Sequence, residues 1–135
     1  ASIDPGIEIE ILGFGMARVE AGYMPMAPVP ATFNALKHAG LAMKDVDAVK
    51  THNPFAVNDI ALARDTGFAW ERMNNYGSSI IWGHPQAPTG LRAIIELIEE
   101  LVLRGGGVGL FTGCAAGDSG YATVLRVTDS RTQKA

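Results

Sequence analysis

The pattern of apolar and polar positions divides the chain into short strands and helices that alternate. In residues 7–19, Ile7, Ile9, Ile11, Leu12 and Phe14 alternate irregularly with other residues. This predicts a strand that breaks around Gly13 and Gly15. Residues 21–30 hold three prolines and a glycine and read as a loop. Pro28 or Pro30 can open a helix, because the N–H that proline lacks has no partner there in any case. That helix runs over 30–39, and Gly40 stops it. A short strand over 47–51 follows, then a helix from Pro54 to Asp65 that ends at Gly67. Residues 74–90 are rich in Asn, Gly, Ser and Pro and read as irregular.

The clearest helix comes next. Leu91, Ile94, Ile95, Ile98, Leu101 and Val102 make one apolar stripe at helical spacing. Thr89 is placed to cap its start, and Gly105 to end it after Arg104. Two apolar strands, 107–113 and 120–127, are joined by a turn at 114–119. The polar stretch 129–135 reads as a frayed tail behind a domain of residues 1–128. Helices alternating with strands, closed by two adjacent strands, predict an α/β layered domain: a mixed sheet with helices packed on it.

Composition removes several function classes. The chain has 135 residues, 47% hydrophobic and 19% charged, which suits one globular domain and excludes a disordered chain. It carries 11 basic and 14 acidic residues, net −3, with no basic stripe, so no nucleic-acid partner is expected. No apolar run approaches the roughly 20 residues of a membrane span, so none is expected. No charged and then apolar leader opens the chain, so no signal peptide is expected. Residue 1 is Ala rather than Met, and the sequence reads as a piece of a longer polypeptide. The one cysteine, Cys114, allows no intramolecular disulfide and fits a reducing, cytoplasmic compartment.

Candidate chemistry concentrates in three loops that follow apolar segments: Thr51-His52-Asn53-Pro54, Trp82-Gly83-His84-Pro85 and Gly113-Cys114-Ala115-Ala116-Gly117. Ligands of α/β sheets collect where such strand ends converge. Histidine transfers protons near neutral pH, and a cysteine beside a histidine is a more acidic thiol than a free one. No tight pair of Cys or His ligands exists, so no metal is expected. The glycines of 105–109 precede a strand, whereas a dinucleotide fingerprint opens a helix. Gly117-Asp118-Ser119-Gly120 lacks any supporting nucleophile frame. Trp70, Tyr76 and Trp82 read as packing residues, and His38 is given no functional role.

These motifs, taken in order, carry a resemblance. His52-Asn53-Pro54-Phe55-Ala56 is followed by Gly83-His84-Pro85, with Thr89-Gly90 opening a helix. Cys114, a glycine-containing turn and a final strand close the series. This order resembles the C-terminal half of thiolases, and the likeness covers nearly all of 7–127. It implies the thiolase-like layered fold and an acyltransferase that makes or cleaves a carbon–carbon bond between acyl groups on coenzyme A. Cys114 matches the general acid/base that handles the α-proton. His84 matches the histidine that activates the nucleophile and binds the thioester oxygen. His52 matches the Asn or His that holds a water of the oxyanion hole. Asn53, Phe55, Ala116 and Gly117 are implied as substrate-binding positions, with an acyl-CoA thioester as substrate and no cofactor.

The family's nucleophilic cysteine lies in an N-terminal half that this chain lacks. The resemblance therefore implies that half as partner, an isolated chain that is not competent, and a homo-oligomer once complete. Ala116 stands where the family has glycine, and a glycine-only backbone angle there would strain it. Asn53 and Pro54 replace Glu and Ala of the family motif, Gln86-Ala87-Pro88 replaces glycines, and Gly77-Ser78 replaces a glycine pair. These departures point toward the sterol-carrier-type or divergent thiolase-like branch of lipid metabolism. The alternative reading is a non-catalytic thiolase-fold module that binds a partner subunit or acyl-CoA.

Overall fold

The computed structural model describes residues 4–132. Its elements run β1 (Ile7–Arg18), α1 (Pro28–Ala39), β2 (Ala48–His52), α2 (Ala56–Thr66), α3 (Ser79–Trp82), α4 (Thr89–Leu103), β3 (Gly106–Ala115) and β4 (Ser119–Asp129). The four strands form one sheet in the order β1-β4-β3-β2. β2 and β3 are parallel, and the other pairs are antiparallel. The expected mixed sheet with packed helices is what the chain builds.

Strand alternation explains the two cores. On one face, Val29, Ala31, Ala35 and Leu36 of α1 and Ala61 and Leu62 of α2 pack on Val49, Leu110, Ala122 and Val124. On the other, Leu97 and Leu101 of α4 pack on Ala48, Leu125 and Val127. Removing this apolar surface from water is the main favourable contribution to the fold.

β1 does not break at its glycines. It is continuous, with a shift of register between Ile11 and Gly13. The glycines serve α1, not a turn. A Cβ at Gly13 would lie 2.8 Å from the Ala35 carbonyl oxygen, and one at Gly15 would overlap the backbone of Ala31 and Ala35. Gly120 of β4 admits the backbone of Ala27 and Pro28 in the same way. Bare positions let a helix backbone approach closer than any side chain allows, and the sequence alone does not say whether a strand glycine is a break or a contact.

Two further segments differ from expectation. Asn74, at the start of the stretch read as irregular, and Met73 before it close the outer edge of β2: Met73 makes a parallel bridge with Val49, and the Asn74 N–H donates to the Val49 carbonyl at 2.9 Å. The Asn74 side chain accepts the Thr51 N–H at 2.8 Å. An edge strand with all five residues buried needs such cover. The start of the expected frayed tail is held by hydrogen bonds. Asp129 is the last residue of β4 and is buried. Arg131 holds its carboxylate at 2.7 and 2.8 Å, and the Ser130 N–H donates to Gly6 at 2.9 Å. The rest of the predicted tail, 133–135, lies outside the described residues. Among the described residues no helix is long and apolar enough to cross a membrane.

Gly15→Ala should therefore destabilise the domain by about 1–3 kcal/mol, the usual range for overpacking. The urea midpoint reads this directly, and an unchanged midpoint would show that α1 does not approach as described.

Candidate functional site

Because β2 and β3 are parallel, their C-terminal ends emerge on the same side. The register pairs His52 with Gly113, and Cys114 follows one residue later. A Cβ at position 113 would meet the His52 Cβ at 2.7 Å, so the bare position makes room for His52. The loop between α3 and α4 brings His84 onto it, with ring centroids 4.2 Å apart and planes tilted by 38°. His52, His84, Thr89, Cys114, Ala116 and Tyr121 line one cavity of about 490 Å³, together with Phe111 and Gln86. The three residues predicted from three separate loops thus come together.

Each histidine is held by a hydroxyl. His52 Nδ1 lies 2.8 Å from Ser79 Oγ, both residues being buried. His84 Nδ1 lies 2.9 Å from Thr89 Oγ1. Thr89 was expected to cap α4, but Pro88 occupies the cap position and Thr89 opens the first turn. Its hydroxyl goes to the histidine instead of the helix end.

The loop itself is pinned by charge. Lys50 of β2 has no solvent exposure. Its ammonium donates to the Gly77 carbonyl at 2.8 Å and pairs with Glu96 of α4 at 3.0 Å. Arg92 of α4 reaches the same Glu96 at 3.6 Å and the Gly83 carbonyl at 3.3 Å. A buried ammonium must be fully paired to be tolerated, so these contacts secure the loop just before and just after α3.

The electrostatics follow from burial. His52 is pushed down to about 4 by desolvation first, then by His84 and Arg92. It is an uncharged imidazole at neutral pH. Burial pushes the Cys114 thiol up; the Asn58 side chain, 3.5 Å from Sγ, and a backbone N–H oppose this. The expectation of a more acidic thiol is therefore not met in this chain. Its nearest hydrogen-bonding side chain is a neutral amide rather than a histidine.

Other expected positions fall elsewhere. Asn53 does not line the cavity. It is buried, and its amide donates to Asp59, which also accepts from the Thr51 hydroxyl at 2.6 Å and Asn74 at 3.2 Å. Phe55, just ahead of α2, is more than half exposed and also off the cavity. Ala116 lines the cavity without the strain expected of it, because the left-handed angles fall on Gly117 at φ 80° and Asp118 at φ 57°. Gly117 turns the chain and does not line the cavity. Trp70, Tyr76 and Trp82 are all more than half exposed rather than packed. Sequence reasoning missed Ser79, Asn58 and Tyr121. Only Ser79, two residues past a glycine and five before His84, carried even a weak positional signal.

Comparison with known proteins gives the family and the fold. The family model described as thiolase, C-terminal domain, matches residues 7–127. An acetyl-CoA acetyltransferase of Syntrophomonas wolfei is 35% identical over 118 residues, covering 86% of this chain and 30% of that protein. The mitochondrial 3-ketoacyl-CoA thiolase of Homo sapiens is 34% identical, covering 87% and 30%. The crystal structure of the human enzyme in complex with CoA superposes with a TM-score of 0.83 over 87% of this chain. That of the Bacillus anthracis acetyl-CoA acetyltransferase gives 0.84 at 29% identity over 88%. The chain spans about 30% of the length of the curated relatives it matches.

The depressed His52 predicts a pH dependence of stability. Between its ordinary value and about 4, the unfolded chain binds a proton that the folded chain refuses. Stability is thus intact above the ordinary histidine range and falls as pH drops toward 4, by on the order of 3 kcal/mol. Urea unfolding of wild type and His52→Asn should diverge over this acid range, with the variant showing the shallower slope. Parallel curves would refute the assignment.

Proposed function

The chain belongs to the thiolase C-terminal domain family, and from that premise we propose that it supplies the acid–base thiol and the oxyanion-binding histidines of an acyl-CoA acyltransferase. The observation that carries this reading is the convergence of His52, His84 and Cys114 on one cavity at the ends of β2 and β3.

The chemistry runs as follows. In condensation, the Cys114 thiolate takes the α-proton of an acyl-CoA. The C–H bond breaks, an S–H bond forms, and the electron pair moves onto the thioester oxygen as an enolate. The enolate attacks the acyl group carried by the nucleophilic cysteine of the N-terminal half, and that cysteine leaves as thiolate. In thiolysis the Cys114 thiol returns the proton to the departing enolate. Negative charge grows on one oxygen in both directions, so donors already aimed there lower the barrier. When the Ser79 and Thr89 hydroxyls donate to Nδ1 of His52 and His84, each ring keeps its N–H on Nε2. The uncharged His52 then holds a water as a neutral donor, and His84 donates beside it. A thiol pushed up by burial rests in its acid form, which suits the proton-returning direction.

The N-terminal thiolase half is the proposed partner. Ile80, Ile81, Trp82, Leu91 and Ile95 flank the His84 loop in sequence and are half or more exposed. An exposed apolar group of this size is the kind of surface that a mate covers. A second reading has one observation in its favour. The raised thiol also fits a thiolase-fold module that binds acyl-CoA or a subunit without catalysis.

One experiment separates the two. In protein reassembled with its N-terminal half, Cys114→Ala should lower condensation by about 10²–10⁴-fold, the usual contribution of a general acid or base. Acyl transfer to the other cysteine should persist. Condensation at the wild-type rate would end the catalytic reading and leave the binding module.

A further inference from the structure

Asn58 lies in the first turn of α2 and is 3% exposed. Its Nδ2 reaches Cys114 Sγ at 3.5 Å, across 56 residues of sequence. Its Oδ1 is buried and has no hydrogen-bond partner among the described residues. A buried amide that donates to a weak acceptor and leaves its own carbonyl unpaired is a poor bargain for stability alone. Such local violations collect where function demands them.

The strand geometry shows what the demand is. Side chains alternate along β3. Gly113 meets His52 on the α4 side, whereas Leu110, two alternate positions before Cys114, belongs to the core under α1 and α2. Alternation therefore turns Cys114 toward α2 as it leaves the strand, while the cavity it lines lies over the strand ends beside the histidines. A thiol so placed needs a partner on the α2 side to fix its direction. Asn58 is that partner. We propose that Asn58 is the positioning residue of Cys114: its side-chain N–H fixes Sγ at the cavity wall and keeps it there while the thiol loses and regains a proton. The proposal rests on the reading of Cys114 as the acid–base group. Asn58 gives up no proton itself.

The titratable groups that share the cavity wall with Cys114 are His52 of β2, His84 of the loop before α4 and Tyr121 of β4. Asp59 of α2 is turned to Thr51 and Asn53. Only Asn58 donates a side-chain hydrogen bond to the sulfur among the described residues. Cys114 is also the single cysteine of the chain, so any thiol signal belongs to it.

The test is a thiol titration of this chain, read by thiolate absorbance and by the rate of iodoacetamide alkylation. Asn58→Ala should move thiolate formation to higher pH by about one unit, slowing alkylation near neutral pH about tenfold. Asn58→Asp should slow it further, because a carboxylate repels the thiolate. A merely structural Asn58 would lower the unfolding midpoint in both variants and leave the titration where it was, which overturns the proposal. A second measurement needs no Asn58 variant. In wild type, the Asn58 side-chain amide resonances should shift through the thiol titration, and in Cys114→Ala they should stay still. Amide resonances that ignore the wild-type titration also overturn it. Titrations that shift, in a protein whose Cys114→Ala form still condenses at full rate, would remove the catalytic reading and with it the role of Asn58 in the reaction. Unshifted titrations beside an inactive Cys114→Ala would remove Asn58 alone.

Discussion

A lysine with no exposure to water ties the site to the sheet. Lys50 stands on β2 two residues before His52, so both side chains leave the strand on the α4 side. Its ammonium must be satisfied where it lies, and Glu96 and the Gly77 carbonyl do this. One partner belongs to α4 and the other to the segment that enters α3, ahead of the His84 loop. The three segments that build the histidine pair are therefore joined at a single buried charge. Removing either partner would leave that charge uncompensated, a far larger penalty than losing a surface ion pair. Residues 77–83 hold two glycines and two serines, and their Ile80, Ile81 and Trp82 are exposed, so this ion pair supplies what packing does not.

The histidines illustrate how burial sets chemistry. Two rings 4.2 Å apart, one of them 7% exposed, cannot both carry a proton at modest cost. Desolvation assigns the neutral state to His52. Where the hydroxyls of Ser79 and Thr89 donate to Nδ1, a neutral ring carries its hydrogen on Nε2. His52 owes its neutral state to burial.

How much of this was legible in the sequence depended on the range of the interaction. The apolar stripe from Leu91 to Val102 is periodic over several turns, and α4 lies where it predicts. Pro28, Gly40 and Gly67 mark helix ends by backbone chemistry that any context preserves. α3 was not legible, because one turn of helix between Ser78 and Gly83 is too short to show a period. Gly13 and Gly15 were misread since their reason is a helix twenty residues away. Motif order brought out His52, His84 and Cys114. Asn53 and Phe55 belong to the same motif, yet one serves a polar network with Asp59 and the other faces outward. A motif records which residues travel together, and only the fold says which of them face the same cavity.

Gly120 has a consequence beyond the packing of α1. It pairs with Cys114 across the sheet, and the atoms that crowd its missing side chain are the carbonyl of Ala27 and the nitrogen of Pro28. The neighbourhood behind the cysteine strand is thus made of main-chain atoms, which every residue at those positions would provide. Sequence can drift in the loop ahead of α1 without repainting that wall, as long as position 120 stays bare.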